Sequence, residues 1–600
     1  MAEFIERTRG DTRFYKRRNV IQHLCAESAG DAHASNIRFI FYHYVHGVLS
    51  GAAGCALRAL VIIEWLNYIN CGVDLTHIYV MNFKTLFSPK NSLTKMAVNA
   101  LNSGVFSLYI LSSTALADTA APPLLAPTLP ANVADIFARA GVPLANVSAL
   151  VQEAGSAKPP ILALNTAKSM NPASVMKLVT TYAALDMLGP AYSFRTDVYA
   201  LGEVNNGVLR GDLAFKGYGD PKLTVERFWL LLRQLRERGL QEIRGDIVLD
   251  KSFFEVPPHD PAKFDGEALR AYNVGPDALM LNFKAVRFGF SASVDQKSVS
   301  IAPDIQPAQL EVGNGVKLVD GICGEWKDRV KIDVQYPAPP ANTQVKVNFT
   351  GSYPRSCGEK IWNVSLLDHN RFFGGAFAKM WSDLGGVWKG AVKAQSVPAT
   401  ARLIAQSESA PLSDIVRDIN KYSNNVMARQ VFLTLSGTPI VDVALVQAMG
   451  EGTPTAAEPA LRGEAGRSER LIKEWLNLKG IVAPELVMEN GSGLSRIERI
   501  NAATLGSMLQ TAYKSAVMPE FLSSMPLLGV DGTMRKRSRT EGVAGQAHIK
   551  GGTLSDVRAV GGYVLDKSGK RWVVVLMVND ANAAATQRAQ DLLLAWVYGR

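Results

Sequence analysis

The spacing of apolar positions changes several times along this chain, and each change marks a different kind of element. After a proline-rich stretch (AAPPLLAPTLPAN), a short helical pattern covers Val133–Ala140, and the alternation in ILALNTAK predicts a strand. Asn171-Pro172-Ala173 breaks the chain. From Ser174, the segment VMKLVTTYAALDML carries Met176, Val179, Ala183 and Leu185 on or near one helical face. Residues 196–362 switch to short alternating runs with turn residues between them, and Asn206-Gly207, between DVYALGEV and VLRGDLAF, predicts a hairpin. One helix, Val225–Gly239, interrupts this β-rich region. Helical spacing returns over Arg371–Leu384 and Leu412–Leu435, and the polar run 451–467 reads as a surface loop. Near the end, AHIKGGTL, AVGGYVLD and RWVVVLMVND read as three successive strands, the last two joined by Lys567-Ser568-Gly569-Lys570. A helix over Ala584–Tyr598 closes the chain. Helix, antiparallel meander and final helix together predict an α/β sandwich made from the outer parts of the sequence.

Composition adds limits to this pattern. At 600 residues, 47% hydrophobic and 20% charged, collagen-like, disordered and polytopic membrane classes are excluded, and the length suits more than one domain. The formal charge of +10 matters only through its distribution: residues 1–117 hold 11 Lys/Arg against 7 Asp/Glu, leaving 53 against 47 in the body. That residue is spread without a basic block, so no nucleic-acid partner is expected.

The N-terminal excess falls partly in a recognisable segment. From Met81, Lys84, Lys90 and Lys95 precede an apolar run, Val105–Leu111, and a small-x-small site, Ala115-Leu116-Ala117, stands before Asp118. Residues 81–117 are therefore read as a secretory signal, and residues 1–80 as a non-native upstream extension. A rival reading makes residues 39–66 a membrane anchor, but His43, His46 and Arg58 would be costly in lipid. Only Cys323 and Cys357 follow the signal, with three histidines, His259, His369 and His548. A His/Cys metal site would need nearly all of them, so no metal is expected. Export implies an oxidising compartment, in which the two cysteines are expected to pair rather than remain free thiols.

Three clusters carry candidate chemistry. Ser174 and Lys177, three apart at a helix start, share a face; a serine needs a neighbouring base, and a lysine serves as one only where burial or positive charge lowers its pKa. Taken alone, this spacing is common by chance, and a helix N-cap is the better reading of Ser174. Ser423-Asn424-Asn425 lies between two helical segments, where Ser423 can relay a proton and the Asn425 amide can bind a carbonyl, or where all three form a turn. Lys550-Gly551-Gly552-Thr553 lies in a strand, where glycines allow a ligand backbone to approach and Lys550 and Thr553 can meet a carboxylate.

In this order the clusters resemble the Ser-x-x-Lys, Ser-x-Asn and Lys-Thr-Gly set of penicillin-binding proteins and serine β-lactamases. GYGDPKL (Gly217–Leu223), NGSGLSR (Asn490–Arg496) and LLGVDGTMRKR (Leu527–Arg537) are similar to segments of one branch, the class C low-molecular-mass penicillin-binding proteins, D-alanyl-D-alanine carboxypeptidase/endopeptidases. The resemblance covers about residues 130–600. It implies an α/β (α+β) serine β-lactamase/transpeptidase-like sandwich over 118–195 and 363–600, interrupted by a β-rich insert, 196–362, of two nested domains that contain Cys323 and Cys357. It also implies Ser174 as nucleophile, Lys177 as its base, Ser423 and Asn425 as the second motif, Lys550 as the third-motif cation, the Ser174 and Thr553 N–H groups as the oxyanion hole, and Gly552 and Thr553 as substrate-binding residues.

The implied activity is periplasmic DD-peptidase action on peptidoglycan stem peptides, with β-lactams as inhibitors, no cofactor, and room for peripheral contact with a membrane. Two departures stand out. Gly551 replaces the usual threonine, which should weaken carboxylate binding by about 1 kcal/mol, and Asn490 replaces an aspartate. Alternatives are a serine β-lactamase, which the long insert disfavours, and a cell-wall binding protein with a site weakened at Gly551. A Ser-His-Asp hydrolase is weakest, since no Gly-x-Ser-x-Gly elbow occurs.

Overall fold

A computed structural model describes residues 128–337, 344–438, 461–537 and 542–600. The expectations for residues 1–80, 81–117 and 39–66 lie outside the described residues, as does 451–460 of the predicted loop. No helix among the described residues is long and apolar enough to cross a membrane.

Helix α1 (Ala131–Arg139) buries Val133 and Phe137. Strands β1 (Val147–Glu153) and β2 (Leu162–Leu164) pair antiparallel. The strand expected over ILALNTAK is thus cut to three residues, because Asn165 turns the chain at φ 46° and its Nδ2 donates to the carbonyls of Leu144 and Val147. Ser174 does not open an α-helix either: Ala173–Met176 form a 3₁₀ turn, and helix α2 (Lys177–Leu188) follows it. Nor does α2 have one apolar face. Every residue from Lys177 to Leu185 is buried, so the helix is covered on all sides.

The chain then leaves for the β-rich region. Strands β3 (Arg195–Asn205) and β4 (Val208–Gly217) form the hairpin, with Asn206 and Gly207 at φ 46° and 79°, the left-handed pair that a two-residue turn requires. Helix α3 (Val225–Glu237), β5 (Glu242–Ile243) and β6 (Ile247–Asp250) follow. Next come β7 (Val286–Ala292), β8 (Val299–Pro303), β9 (Leu310–Val319), β10 (Val330–Gln335), β11 (Val345–Pro354) and β12 (Lys360–Val364). They form two three-stranded sheets, β10-β11-β9 and β12-β7-β8.

The far boundary of this excursion differs from the expected residue 362. Helix α4 (His369–Asp383) and strands β13 (Val387–Trp388), β14 (Val392–Ala394) and β15 (Arg402–Glu408) still belong to it. They complete a seven-stranded sheet, β13-β5-β4-β3-β15 with β6 and β14 alongside. The reason is side-chain packing: Phe373 lies 5.2 Å from Phe215 and 4.9 Å from Phe228, ring to ring, and one apolar core runs from Val198 to Ala405. The return of helical spacing at Arg371 marked a helix, not a change of core.

After residue 408 come α5 (Leu412–Tyr422), α6 (Asn425–Gly437), α7 (Ala465–Leu478), α8 (Ala502–Lys514) and α9 (Met518–Ser524). Helix α7 begins inside the stretch expected to be loop up to residue 467. Strands β16 (Ala547–Leu554), β17 (Val557–Leu565) and β18 (Arg571–Asn579) follow as expected, and α10 (Gln587–Tyr598) ends the chain. The five-stranded sheet runs β16-β17-β18-β1-β2, with β1 matched to β18 from Val147↔Val578 to Glu153↔Trp572. Val573, Val575 and Met577 of β18 join the core of α2, α5, α6, α7 and α8, whereas Val574, Leu576 and Val578 join that of α1 and α10. Covered on both faces, β18 reads as an unbroken apolar run for that reason. Strand β16 is left at the outer edge.

In the excursion, a disulfide joins Cys323 and Cys357, 34 residues apart, beyond the ends of β9 and β11. Replacing both cysteines by alanine is expected to cost about 3–4 kcal/mol. Hydrogen exchange should rise in β7–β12 and stay unchanged in β16–β18.

Candidate active site

The three clusters converge on one place, and a fourth segment joins them. Ser174 sits in the 3₁₀ turn before α2, and the preceding Ala173 is held at φ 45°, a left-handed conformation that costs an alanine about 1–2 kcal/mol. Asn171 holds it there. Its Oδ1 accepts from Ala173 N (2.9 Å), its Nδ2 donates to Ser495 O (2.9 Å), and its backbone is clamped to β18 by the two ends of the Asn579 amide (2.7 and 2.9 Å). The three residues that looked like a chain break are the fastening of the turn.

Lys177, fully buried at the start of α2, places Nζ 3.0 Å from Ser174 Oγ and 2.6 Å from Asn425 Oδ1, and also donates to Ser492 O. Burial drives its pKa well below the usual lysine value. The nearby positive charges of Lys550 and Arg429 act in the same direction, and Glu498 opposes them. Lys550, also fully buried, projects from β16, where Nζ donates to Ser423 Oγ (2.9 Å) and Gly551 O (2.7 Å); burial pulls its pKa down to about 7.

Ser423 presents its hydroxyl because α5 ends on it in a left-handed conformation, φ 56° and ψ 40°. Asn424 then caps α6, its Oδ1 accepting from Met427 N at 3.1 Å. The LLGVDGTMRKR segment secures that corner: Asp531 pairs with Lys421 at 2.6 Å and accepts from Leu527 N at 2.7 Å. One turn on, α6 grips the excursion by its backbone. Asn425 Nδ2 donates to Tyr272 O (3.4 Å), Arg429 to Val274 O (2.7 Å) and Gln430 to Asp277 O (2.8 Å).

GYGDPKL lies on the same seam rather than in the site: Gly219 takes φ 78° against Phe254 and Thr434, and burial pushes the Asp220 carboxyl up to about 6. NGSGLSR, by contrast, lines the site. Gly491 O accepts from Thr180 and Ser492 O from Lys177, while a β-carbon on Gly493, itself at φ 77°, would strike the Ala173 carbonyl. Asn490 folds this loop with both ends of its amide, Oδ1 accepting from Ser492 N and Oγ (2.9 and 2.6 Å) and Nδ2 donating to Leu494 O (3.0 Å). An aspartate could not make the last bond.

Gly552 is required, since a β-carbon there would collide with Pro172 O beside Ser174 N. Thr553 follows it, exposed on the edge strand. At Gly551, where the family's hydroxyl is missing, a β-carbon would meet the Met534 methyl, so a flexible thioether side chain lies beside that position. Ser174, Lys177, Ser423, Asn425, Lys550 and Gly552 are thus brought together, while Cys323 and Cys357 serve the excursion alone. Sequence reasoning missed the Ser492 carbonyl, Arg429, the Tyr272 carbonyl and Glu498. Only Ser492 had a signal, because NGSGLSR was already singled out.

The sequence profile of the D-Ala-D-Ala carboxypeptidase 3 (S13) family matches residues 129–597. A D-alanyl-D-alanine carboxypeptidase from an Actinomadura species is 28% identical over 416 residues, 66% of this chain and 71% of that one. The D-alanyl-D-alanine carboxypeptidase DacB of Haemophilus influenzae is 23% identical over 423 residues, 69% of this chain and 81% of that one. The crystal structure of penicillin binding protein 4 from the same organism superposes with a TM-score of 0.61 at 21% identity, covering 78% of this chain and all of that one, a likeness of fold.

The depressed Lys550 pKa also makes a statement about stability. Unfolded Lys550 takes up its proton below about 10.5 and the folded residue only below about 7, so the fold loses stability as pH falls from the first value to the second. Lys550→Met is expected to stabilise the protein by about 1–3 kcal/mol at pH 7 after the lost hydrogen bonds. The gain should vanish in melting curves taken above pH 10.5.

Proposed function

Since the chain belongs to the D-Ala-D-Ala carboxypeptidase 3 (S13) family, we propose that this site removes the terminal D-Ala of peptidoglycan stem peptides through an acyl-enzyme on Ser174. The observation that carries the reading is the surroundings of Lys177. A neutral lysine amine has two N–H groups and one lone pair. Asn425 Oδ1 and the Ser492 carbonyl can only accept, so they take both N–H groups and turn the lone pair toward Ser174 Oγ, 3.0 Å away. The Tyr272 carbonyl fixes the Asn425 amide in the required sense by accepting from its Nδ2.

Ser174 Oγ then attacks the carbonyl of the penultimate D-Ala while its proton passes to Lys177. The oxyanion is met by the N–H groups of Ser174 and Thr553. As the C–N bond breaks, Ser423, held by Lys550, relays the proton that Lys177 took from Ser174 to the departing D-Ala amine, which leaves Lys177 neutral, and the charged form of Lys550 attracts the D-Ala carboxylate. Water cleaves the ester with Lys177 again as base. The same steps on a cross-linked peptide are endopeptidase action, and a β-lactam acylates Ser174 as a substrate mimic. The disulfide and the signal read at 81–117 support a periplasmic location. The complete Ser174–Lys177–Asn425 and Ser423–Lys550 contacts favour turnover over binding alone.

Labelled penicillin should mark the wild type and leave Ser174→Ala unmarked; equal labelling of the two would refute the assignment. Hydrolysis of a D-Ala-D-Ala peptide should have a bell-shaped kcat/KM profile. Its rising limb, where Lys177 becomes neutral, should lie well below the ordinary lysine range. Above about pH 7, KM should climb as Lys550 loses the charge that attracts the carboxylate.

A further inference from the structure

Beneath the Asn490–Gly493 loop lies a carboxylate that none of the steps above uses. Glu498 is fully buried, and its Oε1 accepts from Asn490 N and Gly491 N, both at 2.9 Å. Its Oε2 has no hydrogen-bond partner. Burial pushes the Glu498 carboxyl up, and the N–H groups of Asn490, Gly491 and Gly493 together with the charge of Lys177 act the other way, so the carboxylate form depends on those donors and on the surrounding field.

The field is specific. Lys177 on α2, Lys550 on β16 and Arg429 on α6 bring positive groups to this volume, and Glu498 opposes the other two at Lys177. Arg429 is itself attended by Glu498 and Glu489. The loop that Glu498 folds is also the one whose Ser492 carbonyl accepts from Lys177 Nζ and whose Gly491 carbonyl accepts from Thr180, one turn along α2. Asn490 is neutral, so the carboxylate enclosed by this loop is that of Glu498.

We propose that Glu498 is a positioning residue for acyl transfer: as an ionised carboxylate it folds the 490–493 loop around Lys177 and supplies the negative charge that stabilises the Lys177 ammonium formed when Ser174 gives up its proton. Burial alone would make that ammonium too costly to form, so a base kept neutral by desolvation needs a fixed counter-charge as the proton arrives. This rests on the reading of Lys177 as the base.

The proposal separates charge from packing. Glu498→Gln keeps an acceptor for both loop N–H groups and removes the charge. Acylation of the full-length protein by a fluorescent penicillin, measured across pH, should then change in two ways. The plateau rate should fall roughly tenfold, because the ammonium is less stable. The rising limb should move to lower pH by roughly one unit, because a Lys177 without its counter-charge loses its proton more readily. A packing role would lower the plateau and leave the limb in place, and that result overturns the proposal. Lys177→Ala separates it from its premise: retained acylation there refutes the base assignment itself, whereas an inactive Lys177→Ala with an unshifted Glu498→Gln limb refutes the role of Glu498 alone. Should Glu498→Gln fail to fold, Asn490→Asp/Glu498→Gln returns a carboxylate to the other side of the same loop. The proposal expects that variant to fold with a wild-type limb; failure to fold, or folding with a displaced limb, counts against it.

Discussion

Holding the Lys177 amine out of water is the constraint that the rest of the structure serves. An ammonium with no solvent around it is unstable, so the same burial that lowers the Lys177 pKa also makes its surroundings expensive to assemble. Each neighbour can be understood from that cost. Asn425 and the Ser492 carbonyl satisfy the amine's donors, Lys550 and Arg429 bias it toward neutrality, and Glu498 restrains that bias. Helix α2 is buried all round because its first residue must be enclosed, and its enclosure requires a sheet on one side and the α5–α6 pair on the other.

The excursion belongs to this enclosure and is more than an appended region. Helix α6 recognises three of its backbone carbonyls through Asn425, Arg429 and Gln430, and the first of these bonds sets the orientation of the amide that faces Lys177. A backbone carbonyl is a good choice for that task, because its position is set by the chain path and survives most changes of side chain. The Asn171–Asn579 clamp does the corresponding work on the opposite side, anchoring the strained Ala173 to the central strand β18. The Ser174 turn and the Asn425 amide are therefore held from two directions by elements whose own cores are separate.

Much of this was legible locally. Asn206-Gly207 demands left-handed φ at both positions, so the hairpin could be placed without knowledge of its neighbours. The three closing strands were equally plain, since β-branched runs between turn residues have few other uses. Position 551 was legible only in part: the glycine reads as a lost hydroxyl, but the Met534 methyl lying beside it, from 17 residues earlier, has no signal in the spacing. The end of the excursion was misplaced for a similar reason. The periodicity over Arg371–Leu384 correctly marked a helix, but whether Phe373 and Phe377 meet Phe215 or the other core is not written in their spacing.

From the sequence alone came the element types, the hairpins, the order of the three chemical clusters and the family they resemble, because turn conformations and motif spacings are properties of neighbouring residues. Which core each element joins, that Lys177 has its two donors taken by Asn425 and Ser492, and that Glu498 lies against the same loop were decided by tertiary structure. Solvent exclusion and electrostatic fields depend on what packs around a group in space, and residues 177, 425, 492 and 498 come within reach of one another only when the chain has closed around them.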